Sequence, residues 1–461
     1  MIAFAAPDPE ATPVWLVSVD NWDRVKASIG EEAAAFAGHC GFKPKAGRLQ
    51  LLPGRNGALS GALFGVDAEQ APARDPLGPG KLATLLPDGV YRLANPPADV
   101  DLAALGFLLG LYRYDRFKAD QAPRPRLVAP GGVDAAGVER IAAAVAYGRG
   151  LVNAPANAMG PFALEQAAVS LAESLGAVVS MVRGDDLVAA NFPLIHAVGR
   201  AAAEAPRIVD ISWGREEAPK LALIGKGVTF DTGGLDIKPA SGMELMKKDM
   251  GGAATALTLA RLVMEAELDL RLRVVIPIVE NAISAPAMRP GDVIVSRKGL
   301  SVEIGNTDAE GRLILADALA LADEEAPDVL IDIGTLTGAA RVALGPDLPP
   351  FYTDDEALAA SVARHAARVS DPVWRLPLWR PYDAMIEGAV ADISNSGSGG
   401  PFAGSIIGAL FLRRFVDKAK AWAHFDVFAW NPKPRAHGPA GGEIQAARAL
   451  FDLLSERYPG R

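Results

Sequence analysis

LALIGKGVTFDTGGLDIKP, residues 221–239, opens on an apolar run and then sets two lysines, Lys226 and Lys238, on either side of Asp231. Residues 221–230 have the composition of a strand buried on both faces. Solvated lysines usually share a polar helix face with other charges, whereas these two stand in apolar and glycine-rich sequence. Lys226 is therefore expected near the end of the strand, against the core, where a lone ammonium is costly. Further strand candidates follow at 272–280, 329–337 and 423–430, with helical patterns between them at 251–267 and 311–326. Strands alternating with helices of this length predict an α/β fold, a largely parallel sheet flanked by helices on both faces.

Toward the N-terminus the pattern changes. Short β-like runs at 14–19 and 57–66 precede an apolar helix candidate at 101–117, and residues 118–137, rich in Pro, Gly and Ala, read as a linker. The expected division is a smaller N-terminal α/β domain, residues 1–135, and a larger domain, residues 136–461, whose first helix, within 138–161, stops at a proline-punctuated loop.

The composition narrows the chemistry. A chain of 461 residues, 50% hydrophobic, 22% charged and of net charge −9 fits an ordinary enzyme rather than a surface dedicated to nucleic acid. The single cysteine, Cys40, excludes an intrachain disulfide and a thiolate metal cluster, and the five histidines form no HExxH-type pair. A metal site has to rest on carboxylates, with an unusual nitrogen ligand if any. No apolar run reaches membrane-spanning length, and MIAFAAPDPE, broken by prolines and without a basic residue, makes a poor signal peptide. A cytoplasmic protein without a membrane partner is the expectation.

In parallel sheets reactive groups gather where strands end and helices begin. Lys226 and Asp231 follow one strand, Asp249 precedes the 251–267 helix, and Asp308, Glu310 and Arg312 open the 311–326 helix. Each has a local reading as well. Thr307-x-x-Glu310 has the form of a capping box, Asp249 suits a helix cap, and Asp231 before Thr-Gly-Gly suits an Asx-turn. Asp308, Glu310 and Arg312 alternate as if along an extended approach, and Gly311 is a poor first-turn residue unless something comes close. His424 and Asp426, on an apolar strand, read as core or sheet-edge groups rather than ligands.

Four carboxylates at one sheet edge repel, and buried like charges either protonate or bind cations. Two divalent ions, Zn²⁺, Mn²⁺ or Mg²⁺, would neutralise them. Beside two ions Lys226 would have a depressed pKa and a neutral amine able to act as a ligand, leaving Lys238 and Arg312 as the cations facing substrate. A two-metal site of this kind suits amide or phosphoester hydrolysis, and the residues by themselves leave both open.

GKGVTFDTGGLDIKP (225–239), MKKDMGGAAT (246–255) and NTDAEGRLILADAL (306–319) together resemble the leucine aminopeptidase family, metallopeptidases of the cytosol-aminopeptidase type. Lys226, Asp231, Lys238 and Asp249 are separated by 5, 7 and 11 residues, as in that family, and the resemblance runs from 151–161 to 404–416. It implies two divalent ions, Zn²⁺ or Mn²⁺, per subunit. Asp231 and Glu310 would be shared between them, Asp308 would complete one site, and Lys226 with Asp249 the other. It further implies Lys238 as electrophile, Arg312 as holder of a bicarbonate base, and peptides with a free N-terminus as substrates. Met246, Thr335 and Gly338 would wall the first side-chain pocket, while Asn306 and the Leu336 carbonyl align the peptide. A smaller N-terminal domain, a catalytic domain on a mixed sheet, and a homohexamer complete the implied picture. Some members of the family also bind DNA, which the acidic balance of this chain argues against as a main role. Two stretches depart from the pattern. GGEIQAAR (441–448) stands where many relatives carry small residues that shape the first pocket, and 395–405 is unusually glycine-rich. A leucine preference therefore does not follow from the resemblance.

Overall fold

The structure, a computed structural model, describes residues 2–72, 74–119, 121–398, 400 and 402–460. Asp120 of the proline-rich stretch, and Gly399 and Pro401 of the glycine-rich one, lie outside the described residues. The chain divides into two compact units, Met1–Ala146 with Pro432–Ala440, and Tyr147–Asn431 with Gly441–Arg461.

The described residues of the first unit hold five strands, β1 (Thr12–Val17), β2 (Leu49–Pro53), β3 (Leu59–Gly65), β4 (Val90–Leu93) and β5 (Arg126–Leu127), in the order β2-β3-β1-β4-β5. Only β2 runs antiparallel to its neighbour. The helix expected over 101–117 ends earlier, as Val100–Gly110, and Arg113 turns its guanidinium back onto the Gly110 carbonyl. The stretch read as a linker contains β5; Arg126 at its start and Val128 just past its end donate their N–H groups to the carbonyls of Gly89 and Tyr91.

In the second unit β6 (Val178–Arg183), β7 (Arg207–Trp213), β8 (Lys220–Gly225), β9 (Gly227–Asp231) and β10 (Arg271–Asn281) are followed by the short strands β11 (Val293–Val295) and β12 (Ser301–Glu303). Then come β13 (Val329–Gly334), β14 (Pro350–Tyr352), β15 (Trp374–Arg375), β16 (Ile393–Ser394) and β17 (Trp422–Asp426). The main sheet runs β15-β14-β17-β13-β8-β10-β7-β6, with β9 also paired to β10. Its centre, β17-β13-β8-β10, is parallel, and antiparallel pairs flank it on both sides, so the sheet is mixed. Ala222 and Ile224 of β8 join a core cluster with Leu313, Ile314 and Leu319 of the helix Glu310–Asp323. Leu221 and Leu223 turn to the opposite face and are equally buried. That face carries the helix Gly251–Glu265, packed so closely that a Cβ at Gly225 would lie 2.6 Å from Ala253 Cα and one at Gly252 only 2.2 Å from Ile333 O. Helices on both faces are what the strand–helix alternation predicts.

The strand expected over 221–230 is interrupted at Lys226. Ile224 pairs with Val275 and Gly227 with Ile278, which sets Lys226 opposite Pro277, a residue with no N–H to offer the ladder. The Lys226 backbone finds other partners: its N–H donates to Ile333 O and its carbonyl accepts from Ala253 N. The interruption frees the strand end to turn a side chain into the space above the sheet.

Candidate active site

The carboxyl ends of the parallel strands bring the two lysines and four carboxylates together. Lys226, 2% exposed, runs across the first turn of the helix Glu310–Asp323, and Gly311 makes the room: a Cβ there would lie 2.5 Å from Lys226 Cε. Lys226 Nζ stands 2.7 Å from Asp249 Oδ2 and 2.9 Å from Glu310 Oε1, and it donates to Thr335 O at 3.0 Å. Lys238 Nζ stands 2.8 Å from Asp231 Oδ2 and also donates to Asp308. One oxygen from each of Asp231, Asp308 and Glu310 falls within a group no wider than 4.8 Å.

These acids are held from behind. Asp231 Oδ1 accepts from Gly233 N and Asn281 Nδ2, both at 2.8 Å, so the Asx-turn is real and leaves Oδ2 for the cluster. The capping box is not formed. Ala309 is the residue at the helix start and makes no side-chain cap bond, while Thr307 Oγ1 donates to Gly233 O and accepts from Asp236 N. Nor does Asp249 cap its helix: the start is Met250, and the Asp249 carboxylate accepts from Thr335 Oγ1 at 2.8 Å. Glu310 and Arg312 lie on the helix and Asp308 in the loop before it, which replaces the extended alternation expected for them.

One cavity of about 280 Å³ is lined by these six groups together with Met246, Thr335, Leu336 and Gly338. Asn306 and Arg312 are not part of that lining. The Asn306 side chain accepts from Asp308 N at 2.8 Å, and Arg312 donates to Asn395 O at 2.6 Å. Asn395, absent from the sequence expectations, and Asp426, read there as a core or sheet-edge group, organise the loops. Asn395, with no exposed surface, clamps residues 305–309 through Gly305 N and the carbonyls of Asn306 and Ala309. Asp426 accepts from Leu336 N, Thr337 N, Thr337 Oγ1 and Ser405 Oγ, and so fixes the turn after β13. Their signal is a set of backbone hydrogen bonds, which a sequence does not display. His424 lies in the core, paired with Asp332, as its apolar strand predicts.

The cluster is electrostatically overfull. Burial and the Asp231 carboxylate push Glu310 up to about 8, and the same two causes push Asp308 up to about 6. Burial would raise Asp249, but the Lys226 and Lys248 charges hold it low. Burial works against the Lys226 ammonium, yet Asp249, Glu310 and Asp231 outweigh it and raise its pKa. The depressed pKa expected for Lys226 belongs to a site loaded with two ions; beside the carboxylates alone the ammonium is favoured. Lys238 is raised in the same way, chiefly by Asp231 against its burial. Burial lowers Lys248 to about 8 and Arg312 to about 10. Asp249 Oδ2, Glu310 Oε1 and Arg312 Nε are buried and make no directed hydrogen bond. Carboxylate oxygens in this crowding, with an amine between them, suit divalent cations, which would remove the repulsion that protonation now relieves.

Such a charge balance suits a centre that works with divalent ions. The profile of the cytosol aminopeptidase family, catalytic domain, matches residues 146–451, and that of the M17 aminopeptidase N-terminal domain matches residues 12–130. The chain belongs to the cytosol aminopeptidase family, metal-dependent peptidases that are hydrolases. A probable cytosol aminopeptidase of Nitratidesulfovibrio vulgaris is 42% identical over 376 residues, 77% of this chain and 73% of that protein. Another, of Chlorobium limicola, is 37% identical over an alignment of 488 positions, 95% of this chain and 94% of that protein. Among solved structures, the cytosol aminopeptidase of Coxiella burnetii is 40% identical and superposes with a TM-score of 0.94 over 99% of both chains. The bottromycin maturation enzyme BotP in complex with Mn is 30% identical, with a TM-score of 0.85 over 97% of this chain and 99% of that one.

Proposed function

We propose that the chain is a two-metal aminopeptidase that releases the first residue of peptides with a free N-terminus. The observation that carries this reading is the buried acid cluster, whose negative charge exceeds what Lys226 and Lys238 balance. Asp231 and Glu310 would be shared between two ions, with Asp308 completing one site and Lys226 and Asp249 the other. The BotP structure with Mn supports manganese as one candidate; zinc is the other. Bound there, the ions would supply a nucleophilic water at neutral pH and polarise the scissile carbonyl, and bicarbonate on Arg312 would supply the base.

The remaining roles fall to the chain's own atoms. Lys226 acts as a ligand only after losing its proton, so loading is expected to release protons. Lys238 keeps its charge and stabilises the negative oxygen that develops on the attacked carbonyl. The free α-amine of the substrate would sit on one ion, which restricts cleavage to the first residue, and Asp249 helps to neutralise that amine. Asn306 and the Leu336 carbonyl align the peptide, and Met246, Thr335 and Gly338 wall the first side chain. The buried Arg312 Nε, without a hydrogen-bond partner among the described residues, suits a small oxyanion. A homohexamer, a cytoplasmic location and a division into residues 1–135 and a catalytic domain, 136–461, belong to the same proposal. The two family profiles, ending at 130 and beginning at 146, support that division.

Metal-stripped protein titrated with Mn²⁺ or Zn²⁺ is expected to regain hydrolysis of unblocked aminoacyl anilides and to leave their N-acetylated forms intact. Two bound ions without turnover of any member of a panel of first residues would sink the proposal. Asp426→Asn tests the support of the turn after β13. The amide sets an N–H donor against hydrogens that Asp426 now accepts, and kcat/KM is expected to fall about ten- to a hundred-fold through misplacement of residues 335–338. Metal content, measured in parallel, should stay at two ions per chain. An unchanged rate would remove Asp426 from the machinery.

A further inference from the structure

Four cationic side chains line the cavity, and two of them make no ion pair, although Lys248 feels the Asp249 and Asp426 charges from beyond contact distance. Lys226 and Lys238 are paired with the acid cluster; Lys248 and Arg341 make no ion pair or side-chain hydrogen bond among the described residues. Lys248 is 4% exposed, with Nζ 4.9 Å from the centre of the Phe428 ring. The Arg341 guanidinium carbon stands 4.6 Å from the same ring. Two like charges against one ring repel each other, and the ring offsets only part of the hydration that a buried ammonium gives up. The five carboxylates that line the same cavity are engaged elsewhere, four with the paired lysines and Asp426 with the turn after β13.

The arrangement is built rather than incidental. Gln445 Oε1 accepts from both Phe428 N and Ala429 N, and Gln445 Nε2 donates to Pro346 O, which also lines the cavity. Ala429 takes φ 55°, a conformation that a side chain seldom adopts, and the turn presents Phe428 to the cavity. Gln445 lies in the stretch GGEIQAAR that departs from the family pattern. Arg341 also stands beside Gly338, which lines the same cavity: its guanidinium nitrogen lies 3.7 Å from where a Cβ on Gly338 would stand.

We infer that Lys248 and Arg341 select substrates whose first residue carries an acidic side chain, glutamate or aspartate, received over Phe428 as the ion-pair partner that neither cation has. The inference rests on the aminopeptidase reading and names the substrate class of that same site. An arginine and a lysine offer charge-assisted donors that a carboxylate accepts and a neutral amide of the same shape matches poorly.

The test compares kcat/KM for the p-nitroanilides of glutamate, glutamine, leucine and lysine on the metal-loaded enzyme. Anilides carry no C-terminal carboxylate, so a preference seen on them belongs to the first side chain. Glutamate is expected to exceed glutamine by about ten- to a hundred-fold, the worth of a hydrogen bond to a charged group. Lys248→Met, of similar length, and Arg341→Glu, at an exposed position, should each bring that ratio toward one, whatever the absolute rates, and Arg341→Glu should raise lysine relative to leucine. Competitive inhibition by free L-glutamate, stronger than by L-glutamine, should weaken in both variants. Leucine and glutamine cleaved at least as well as glutamate would overturn the inference while leaving the aminopeptidase reading intact, as would a ratio that neither variant moves. If no anilide is cleaved, both fall together.

Discussion

Glu310→Gln is expected to hold at most one divalent ion per chain and to hydrolyse an unblocked aminoacyl anilide at least about a thousand-fold more slowly than the unaltered protein. Glu310 is 1% exposed and faces Lys226, and its carboxylate belongs to the group with Asp231 and Asp308. In the proposed site it serves both ions, so its charge is lost to each. Glutamine keeps the volume and the helix start but brings no negative charge. Stabilisation by bound ions amounts to several kcal/mol, and about 1.4 kcal/mol corresponds to each tenfold in rate. Collapse of the fold is an unpromising explanation for such a loss. The wild-type carboxylate is repelled by Asp231 and Asp249 and penalised by burial, so the neutral amide relieves strain in the metal-free protein. Metal per chain after dialysis, read by atomic emission beside kcat/KM, checks the expectation. Two retained ions with an unchanged rate would take Glu310 out of the ligand set.

The central α/β pattern was legible because buried parallel strands are apolar on both faces and their helices lie between them. The acid cluster was legible for a related reason: charges in apolar sequence, each next to an expected strand end or helix start, converge in such a sheet. What escaped the reading depends on distant partners. The break at Lys226 is explained by Pro277 on β10, and nothing within 221–230 announces it. Thr307-x-x-Glu310 has the spacing of a cap, yet Thr307 is taken by Gly233 and Asp236 across the loop. Strands β6 and β7 escaped because they flank the parallel centre as antiparallel neighbours, and β6 carries Ser180 and Arg183 among its apolar residues. Asn395 and Asp426 look like ordinary loop and strand-edge residues until their hydrogen bonds to other loops are seen. Lys248, beside Lys247, has the appearance of a solvated pair; the fold sends the Lys247 ammonium to Asn153 O and lays Lys248 over Phe428.

The metal-free protein is expected to lose thermal stability as pH rises from 5.5 to 8, and divalent ions are expected to restore most where the loss is largest. A carboxyl whose pKa is higher folded than unfolded binds more protons in the folded state between the two values, so stability falls as pH climbs through that interval. For Glu310 the interval runs from 4.5 to about 8, and for Asp308 from 3.8 to about 6. Asp317, raised to about 7 by burial, acts in the same sense. The other shifted groups of the cluster leave this window alone. Lys226 and Lys238, both raised, keep their contribution until the pH passes 10.5, and Asp249, lowered, keeps its own above 3.8. Lys248, lowered to about 8, changes the slope only beyond that value. Ion binding needs the same oxygens deprotonated, so affinity rises over the range in which the bare cluster weakens. At about a thousand times the dissociation constant each site adds about 4 kcal/mol, which for a chain of this size corresponds to a rise in Tm on the order of 10 °C with both filled. Melting curves with chelator and with Mn²⁺, taken at half-unit steps from pH 5.5 to 8.5, should therefore diverge as pH rises. Glu310→Gln should flatten the metal-free curve and narrow the gap at pH 8, because it removes both the group that protonates and the ligand that replaces the proton. Parallel curves would show that protons and ions do not compete for the same oxygens, and the cluster would then owe its charge balance to the two lysines.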